Sequence, residues 1–513
     1  MAEKTVAKIF SAELNGLNAE LIEVEADINA GLHSFNIVGL ADKAVSEAKE
    51  RVNSALKNSG IKPPTKENRR ITINLAPADI KKVGSCFDLA IAMAYLLASG
   101  QIQPFETKDK IFVGELSLDG TLRKINGALS ISRLAKTKKF KYLFLPKINA
   151  PEAAIIEGIK IIPVENLISL IEHLEEKKEI KPQPLTEIKP GEPPILIKIT
   201  DIKGQEFAKR ALLIAAAGSH HLLMTGPPGT GKTMLAQALI SLLPPPSVEE
   251  IIETTQIYSS VGLTAESAFI NYRPFRQPHH SASLVSLVGG GAEPKPGEIS
   301  LAHRGILFLD ELPEFHRDVL ESLRQPLENG VINISRSKKS AIFPARFTLV
   351  AAMNPCPCGY FGDPEKSCRC TAYEIIRYQK RISGPLLDRI DLQIEVPRIK
   401  IEELKQKGDP KQEEKWRQMV KNAKEIQKER FKQTQPKIFS NSEMSSKQVD
   451  ELVHLNNEAE KFLKEAMEKF FLSARSYYRI LKTSRTIADL ENASEIKTEH
   501  LAEAFQYRVK TEE

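Results

Sequence analysis

A multidomain α/β architecture is predicted by three features of the chain. A glycine-rich octapeptide joins a short apolar run to a helical pattern, two further apolar runs end in polar residues, and strand-like and helix-like stretches alternate before a Lys/Glu/Pro-rich segment. A chain of 513 residues exceeds one compact core and implies about two to four domains. Its 42% hydrophobic and 27% charged content is that of a soluble globular protein. The N-terminus shows no apolar signal-peptide core, and no apolar run reaches the ~18 residues that span a bilayer. A cytoplasmic location without a membrane partner is therefore expected, with the five cysteines reduced or metal-bound. The net charge of +6 permits nucleic-acid binding without arguing for it.

Residues 1–175 form the first predicted unit. Leu21 to Ala26, Phe35 to Val38, Arg70 to Leu75, Ile111 to Leu118 and Tyr142 to Leu145 read as strands; Asp42 to Asn58 and Asp88 to Ala98 read as amphipathic helices. Asp88 is expected to cap its helix. Residues 176–197 read as a linker, because the stretch from Glu172 to Pro194 has too little apolar surface to pack. Residues 198–397 form a second α/β unit. In the last, 398–513, a charged run to about 440 reads as solvent-facing helix and connector, and 441–510 as a small helical bundle.

The octapeptide is Gly226-Pro227-Pro228-Gly229-Thr230-Gly231-Lys232-Thr233, between a strand over His221 to Thr225 and a helix over Met234 to Leu243. This is the P-loop arrangement: glycines let backbone N–H groups approach phosphates, Lys232 brings positive charge to the β- and γ-phosphates, and Thr233 ligates Mg²⁺. ATP with Mg²⁺ is the implied ligand. The run Gly305 to Leu309 ends in Asp310 and Glu311. A strand buried on both faces reads this way, and its C-terminal tip faces ligands in a parallel sheet. Asp310 is assigned to Mg²⁺ and Glu311 to polarising the attacking water. The run Phe347 to Met353 ends in Asn354, an amide placed to contact the γ-phosphate. Arg389, in Leu386-Leu387-Asp388-Arg389, is the first candidate for an arginine supplied to the transition state, with Arg381 second. An internal ion pair of Arg389 with Asp388 or Asp391 is the competing reading. Ser473-Ala474-Arg475 opens a helix and offers a further arginine to the phosphates.

Cys356, Cys358, Cys368 and Cys370 form C-x-C-x9-C-x-C, four thiols in fifteen residues. This points to structural Zn²⁺, although the C-x-C spacing is tighter than usual and leaves free thiols or an iron–sulfur cluster open. His279-His280 has no carboxylate or cysteine at metal-site spacing and is not read as a ligand pair. Two insertions interrupt the core, 270–298 and a hairpin over 331–346. The hairpin tip carries Arg336, Lys338 and Lys339, Arg346 follows, and no acid lies between Val331 and Arg346. Such a tip suits a phosphate backbone, against the plainer reading of a solvated surface hairpin.

Taken together, the P-loop, the Asp-Glu strand, the Asn-tipped strand, Leu-Leu-Asp-Arg and Ser-x-Arg resemble an AAA+ ATPase of the magnesium-chelatase-like branch. The strings RPFRQPHHSAS (273–283), GGGAEPKPGEISLAHRGILFLDELPEF (289–315), LRQPLENG (323–330) and AAMNPCPCGY (351–360) resemble the bacterial YifB/ComM family over nearly the whole chain. The resemblance implies a Lon-protease-like (ribosomal S5 domain 2-like) N-terminal domain, a P-loop AAA+ core and a C-terminal helical lid. It also implies a homo-hexameric ring in which Arg389 reaches the neighbouring subunit and Arg475 is the second sensor. The Lon nucleophile position falls at Cys86, within Gly84-Ser85-Cys86-Phe87-Asp88, and the lysine position at Leu129. Without a lysine nothing activates a nucleophile, so proteolysis is not expected. The function implied is an ATP-hydrolysing motor on single-stranded or branched DNA, a helicase promoting branch migration in recombination and natural transformation. The alternative is a chelatase-like ATPase that remodels a polypeptide.

Overall fold

The structure is a computed structural model of the chain and describes residues 6–40, 42–66, 68–79, 81–193, 197–264, 267–291, 293–335, 340–399, 403, 409–435, 437–469 and 473–508. The first unit is a seven-stranded mixed sheet in the order Ser34–Val38, Arg69–Ala76, Asn18–Ala30, Ala7–Asn15, Lys110–Phe112, Tyr142–Pro146, Lys160–Val164. Side chains alternate across it, as the strand pleat requires. Phe144 joins the core under helices Lys43–Asn58 and Asp88–Ser99, while Leu143 and Leu145 join the core under Ala128–Thr137. Asp42 caps the first helix by accepting from the Val45 N–H at 2.8 Å.

Two expectations are corrected here. The strand foreseen over Ile111 to Leu118 is two, Lys110–Phe112 and Glu115–Leu116, the second pairing with Leu122–Arg123. The break falls at Gly114, whose N–H turns to the Cys86 carbonyl and where a Cβ would lie 2.9 Å from Leu122. Asp88 is not a cap. Its fully buried carboxylate accepts from Arg51 Nε and Nη2 at 2.6 and 3.0 Å and from the Leu116 N–H at 3.2 Å. Burial lifts this carboxyl to about 6 despite the guanidinium beside it.

The second unit is a five-stranded parallel sheet ordered Phe275–Arg276, Ile306–Leu309, Thr348–Met353, Leu222–Thr225, Leu392–Glu395. Both faces are covered, which explains the unbroken apolar runs. Ile306, Phe308, Leu222, Met224, Val350 and Ala352 face one core; their strand neighbours face the other. The first of these cores continues into the C-terminal helices through Val420, Ala423, Leu463, Ile480 and Leu501. The charged helix Pro410–Arg430 thus buries a stripe of its own at Val420, Ala423 and Gln427. The bundle follows as Ser446–Leu452, Asn457–Lys469, Ala474–Leu490 and Thr498–Gln506. Among the described residues, no helix is long and apolar enough to cross a membrane.

The connecting stretch is taped to both units. The Gln183 and Thr186 N–H groups donate to Ile161 and Ala154 in the first, and that of Gly191 to Asn271 in the second. The units also meet directly at buried Glu152, which accepts from the Leu129 N–H (2.9 Å), Ser259 Oγ (2.5 Å) and Thr264 Oγ1 (3.0 Å). Burial holds this carboxyl above its ordinary range, opposed by those donors.

Candidate functional site

Parallel strands deliver their C-terminal tips to one edge of the sheet, and the polar residues ending the three apolar runs meet there. Gly229 and Gly231 adopt φ of 80° and 85°, a region glycine enters freely, and the loop closes onto the helix Lys232–Leu242. Lys232 Nζ donates to the carbonyls of Gly226 (2.6 Å) and Pro227 (2.9 Å) and to Asn354 Oδ1 (3.2 Å). Thr230 Oγ1 donates to the Pro227 carbonyl at 3.1 Å. Burial keeps the Lys232 ammonium below its ordinary range, and Asp310 and Glu311 oppose that. Thr233 Oγ1 donates to Asp310 Oδ2 at 3.0 Å, so the two groups expected to share Mg²⁺ are adjacent. The hydroxyl, carboxylate and helix N-terminus fit a hard cation bound with phosphates.

Glu311 is exposed and sits in the left-handed region at φ 52°. A non-glycine residue there is strained by about 1–3 kcal/mol and persists only where the surroundings impose it. Its carboxylate lies 3.3 Å from His280 Nδ1. The His280 ring lies tilted against that of His279, with centroids 4.1 Å apart, and meets Phe315 edge-on. The sequence reading missed this partner because it searched the histidine pair for metal-ligand spacing, and Glu311 is distant along the chain. The signal available was the position of His280 just past the strand Phe275–Arg276, which pairs in parallel with Ile306–Leu309.

The arginines lie elsewhere. Arg389 is nearly buried, donates to the Pro385 carbonyl at 2.7 Å and is ion-paired with Glu328. Arg475 approaches the same carboxylate at 3.8 Å. Neither Asp388 nor Asp391 is the partner foreseen for Arg389: Asp391 takes His220 at 3.0 Å and Arg479 at 3.7 Å. Arg381 donates to Glu314 (2.8 Å) and to the Pro313 carbonyl (3.2 Å).

The four cysteines converge. Their sulfurs all lie within 4.8 Å of one another, with Cys356–Cys358, Cys358–Cys368 and Cys356–Cys368 at 3.4, 3.6 and 3.7 Å. A tetrahedral ion with bonds of about 2.3 Å places its sulfurs about 3.8 Å apart, so the set fits one metal ion. Backbone N–H groups of Arg369 and Tyr360 pull the Cys358 thiol below its ordinary range, whereas burial and the neighbouring thiols hold Cys368 and Cys370 above theirs. The knuckle touches the P-loop: a Cβ at Gly359 (φ 86°) would stand 2.7 Å from Pro228 Cδ. The Gln379 side chain donates to the Pro355 carbonyl at 3.1 Å and ties the following helix to the Asn354 tip. Removing one thiol of the set, as in Cys368→Ser, is expected to loosen the knuckle against the P-loop and lower nucleotide affinity, which fluorescent ADP titration reads; metal analysis of the unaltered chain tests whether the set is occupied.

The basic hairpin exists, with arms Val331–Ser335 and Ser340–Pro344 paired from Val331↔Pro344 to Ser335↔Ser340. Arg336, Lys338 and Lys339 lie outside the described residues. Arg346 is ion-paired with Glu443 of the C-terminal unit, and its N–H donates to His303 Nδ1 at 3.1 Å. In the first unit, Cys86 Sγ donates to the Ala12 carbonyl at 3.7 Å, and burial pushes its thiol far up. At the lysine position, Leu129 is buried.

Three family descriptions match in register with these units. They are subunit ChlI of Mg-chelatase over residues 24–149, magnesium chelatase subunit ChlI over 198–404, and its C-terminal part over 411–508. The chain is 45% identical to the competence protein ComM of Haemophilus influenzae, covering 98% of this chain and 97% of that protein. It is 43% identical to YifB of Escherichia coli, covering 96% and 95%. A shorter likeness, 26% identity over 31% of this chain and 24% of the relative, links it to the magnesium-chelatase 67 kDa subunit of Chlorobaculum parvum.

Proposed function

The chain belongs to the magnesium-chelatase-like YifB/ComM family of AAA+ ATPases, and from that premise we propose that it is a ring motor driven along DNA by ATP hydrolysis, promoting branch migration in recombination and DNA uptake. The observation carrying this reading is the paired hairpin at 331–344, whose turn in sequence holds three cations and no acid. The competence role in the name of the Haemophilus relative supports it. A copy of the hairpin from each subunit, six in the hexamer the family implies, would line one channel.

In this reading Lys232 and the loop 226–233 bind the triphosphate, and Thr233 and Asp310 hold Mg²⁺, which neutralises phosphate charge when bound. Glu311 orients the attacking water and accepts its proton. Asn354, fixed through Lys232 and the knuckle, faces the γ-phosphate. Arg389 and Arg475, gathered by Glu328, form the face offered to a neighbouring subunit's nucleotide. The cysteine knuckle holds structural Zn²⁺ and keeps the Asn354 tip against the P-loop. The first unit is read as a Lon-protease-like fold that docks on the motor through Glu152 and does no proteolysis.

ATPase assays with forked, three-way and four-way DNA junctions test the reading. Single-stranded and branched DNA are expected to stimulate turnover, and the apparent DNA affinity to fall steeply between about 50 and 200 mM salt as phosphate contacts are screened. Neutralising Arg336, Lys338 and Lys339 together is expected to abolish the stimulation. ATPase activity indifferent to every DNA would reject the motor. It would favour the second reading, a polypeptide-remodelling ATPase, which the likeness to the chelatase subunit supports.

A further inference from the structure

We propose that the cleft between the turn 313–317 and the end of the helix Ala372–Gln379 is a second seat for single-stranded nucleic acid, with Arg317, Arg377 and Lys380 on backbone phosphates and Tyr373 stacked on a base. The proposal rests on the DNA-motor reading above and adds a contact separate from the basic hairpin. The cleft encloses about 560 Å³, and its lining sets His316, Arg317, Arg377, Lys380 and Arg381 against one carboxylate, Glu314. That carboxylate is already engaged: Arg381 donates to it at 2.8 Å and to the Pro313 carbonyl at 3.2 Å, which fixes one wall. Arg317, Arg377 and Lys380 are exposed and, among the described residues, make no ion pair. Three cations around one cleft without a counter-charge repel one another and favour an anion between them.

The helix presents more than charge. Tyr373, Arg377 and Lys380 follow at i, i+4 and i+7 and share one face, while Ile375 and Tyr378 are buried on the other. Tyr373 is 72% exposed, and Ile376 beside it is half exposed. An exposed aromatic among cations is the composition of a single-strand platform, in which a charged groove tracks the backbone and bases stack on the ring. Arg377 and Lys380 also offset the dipole at the helix end. That role accounts for neither Arg317 on the opposite wall nor the outward ring of Tyr373.

The platform is held in place by its own chain. Thr371 and Glu374 close a capping box, so the helix's own acid is turned back to the Thr371 N–H at 2.8 Å. Cys370 of the thiol set directly precedes the cap, and Gln379 ties the other end to the Pro355 carbonyl at 3.1 Å. Groups already fixed lose little freedom when a ligand arrives, so more of each contact appears as affinity.

Fluorescence anisotropy of a labelled oligothymidylate with the full chain, across a salt series, tests the seat. Wild type is compared with the double variant Arg377→Gln/Lys380→Gln and with Tyr373→Ala and Tyr373→Phe; all three positions are exposed, and thermal melting checks that each variant is folded. The double variant is expected to reduce the slope of log K against log salt by about 1.4, since each single-strand phosphate contact contributes about 0.7. Tyr373→Ala is expected to weaken binding about five-fold or more, and Tyr373→Phe to restore it. An abasic strand of the same length is expected to erase the difference between wild type and Tyr373→Ala, because no base remains to stack. Wild-type affinity and slope in every variant overturn the proposal and leave the motor reading standing. A wild-type chain that binds no oligonucleotide overturns both. Poly-L-glutamate binding that is lost in the double variant, with oligothymidylate binding unchanged, assigns the cleft to an acidic polypeptide and overturns the proposal as well.

Discussion

Replacing Glu311 with glutamine is expected to leave ATP bound and to lower turnover by about 10²–10⁴-fold, the usual contribution of a positioned general base. The substitution keeps size and hydrogen-bonding capacity but removes the carboxylate that accepts the proton. The groups that would grip the nucleotide are separate: Lys232 contacts Gly226, Pro227 and Asn354, and Thr233 contacts Asp310. Equilibrium binding of a fluorescent ATP analogue and single-turnover hydrolysis separate the two effects. A loss of binding equal to the loss of rate would show instead that Glu311 builds the pocket. Because its carboxylate is exposed and touches His280 at its edge, the substitution should leave thermal stability unchanged.

Arg389→Ala is expected to cost about 10³–10⁵-fold in turnover, the range seen when a transition-state arginine is removed. Arg389 has left its adjacent aspartates and pairs with Glu328, beside Arg475. In the ring proposed above, the two cations on one carboxylate exchange it for phosphate oxygens, a geometry guanidinium groups favour. Mixing Arg389→Ala with Glu311→Gln chains gives the decisive measurement. The first retains a working Glu311 and the second a working arginine, so mixed assemblies should recover hydrolysis if Arg389 serves a neighbour. Absence of any recovery assigns the Arg389–Glu328 pair to holding the subunit together.

Much of the nucleotide edge was legible in the chain because each part is local. A strand buried on both faces must be apolar throughout, and the first polar residue after it marks the tip. This rule found Asp310 and Asn354, and the spacing of Gly226 to Thr233 found the loop between strand and helix. The cysteine cluster was legible for the same reason, since four thiols within fifteen residues have little choice but to meet. Local reading failed where a partner came from far along the chain. Asp88 looked like a cap because it opens a helix, yet Arg51 draws it inward. Gly114 looked like an ordinary strand residue, yet Leu122 fills the space beside it. Arg346 was assigned to the hairpin's charge, and its guanidinium lies on Glu443 of the helical unit.

The sequence by itself determined the order of units, the phosphate loop, the acidic and amide strand tips and the thiol set, because these follow from backbone geometry and spacing over a few residues. Tertiary structure alone decided which distant charges meet: His280 with Glu311, Arg389 and Arg475 with Glu328, Glu152 with Ser259 and Thr264. The reason is that a charged or polar side chain finds its partner by proximity in the folded chain, and that proximity is set by how sheets and helices pack rather than by anything encoded within one turn of the backbone.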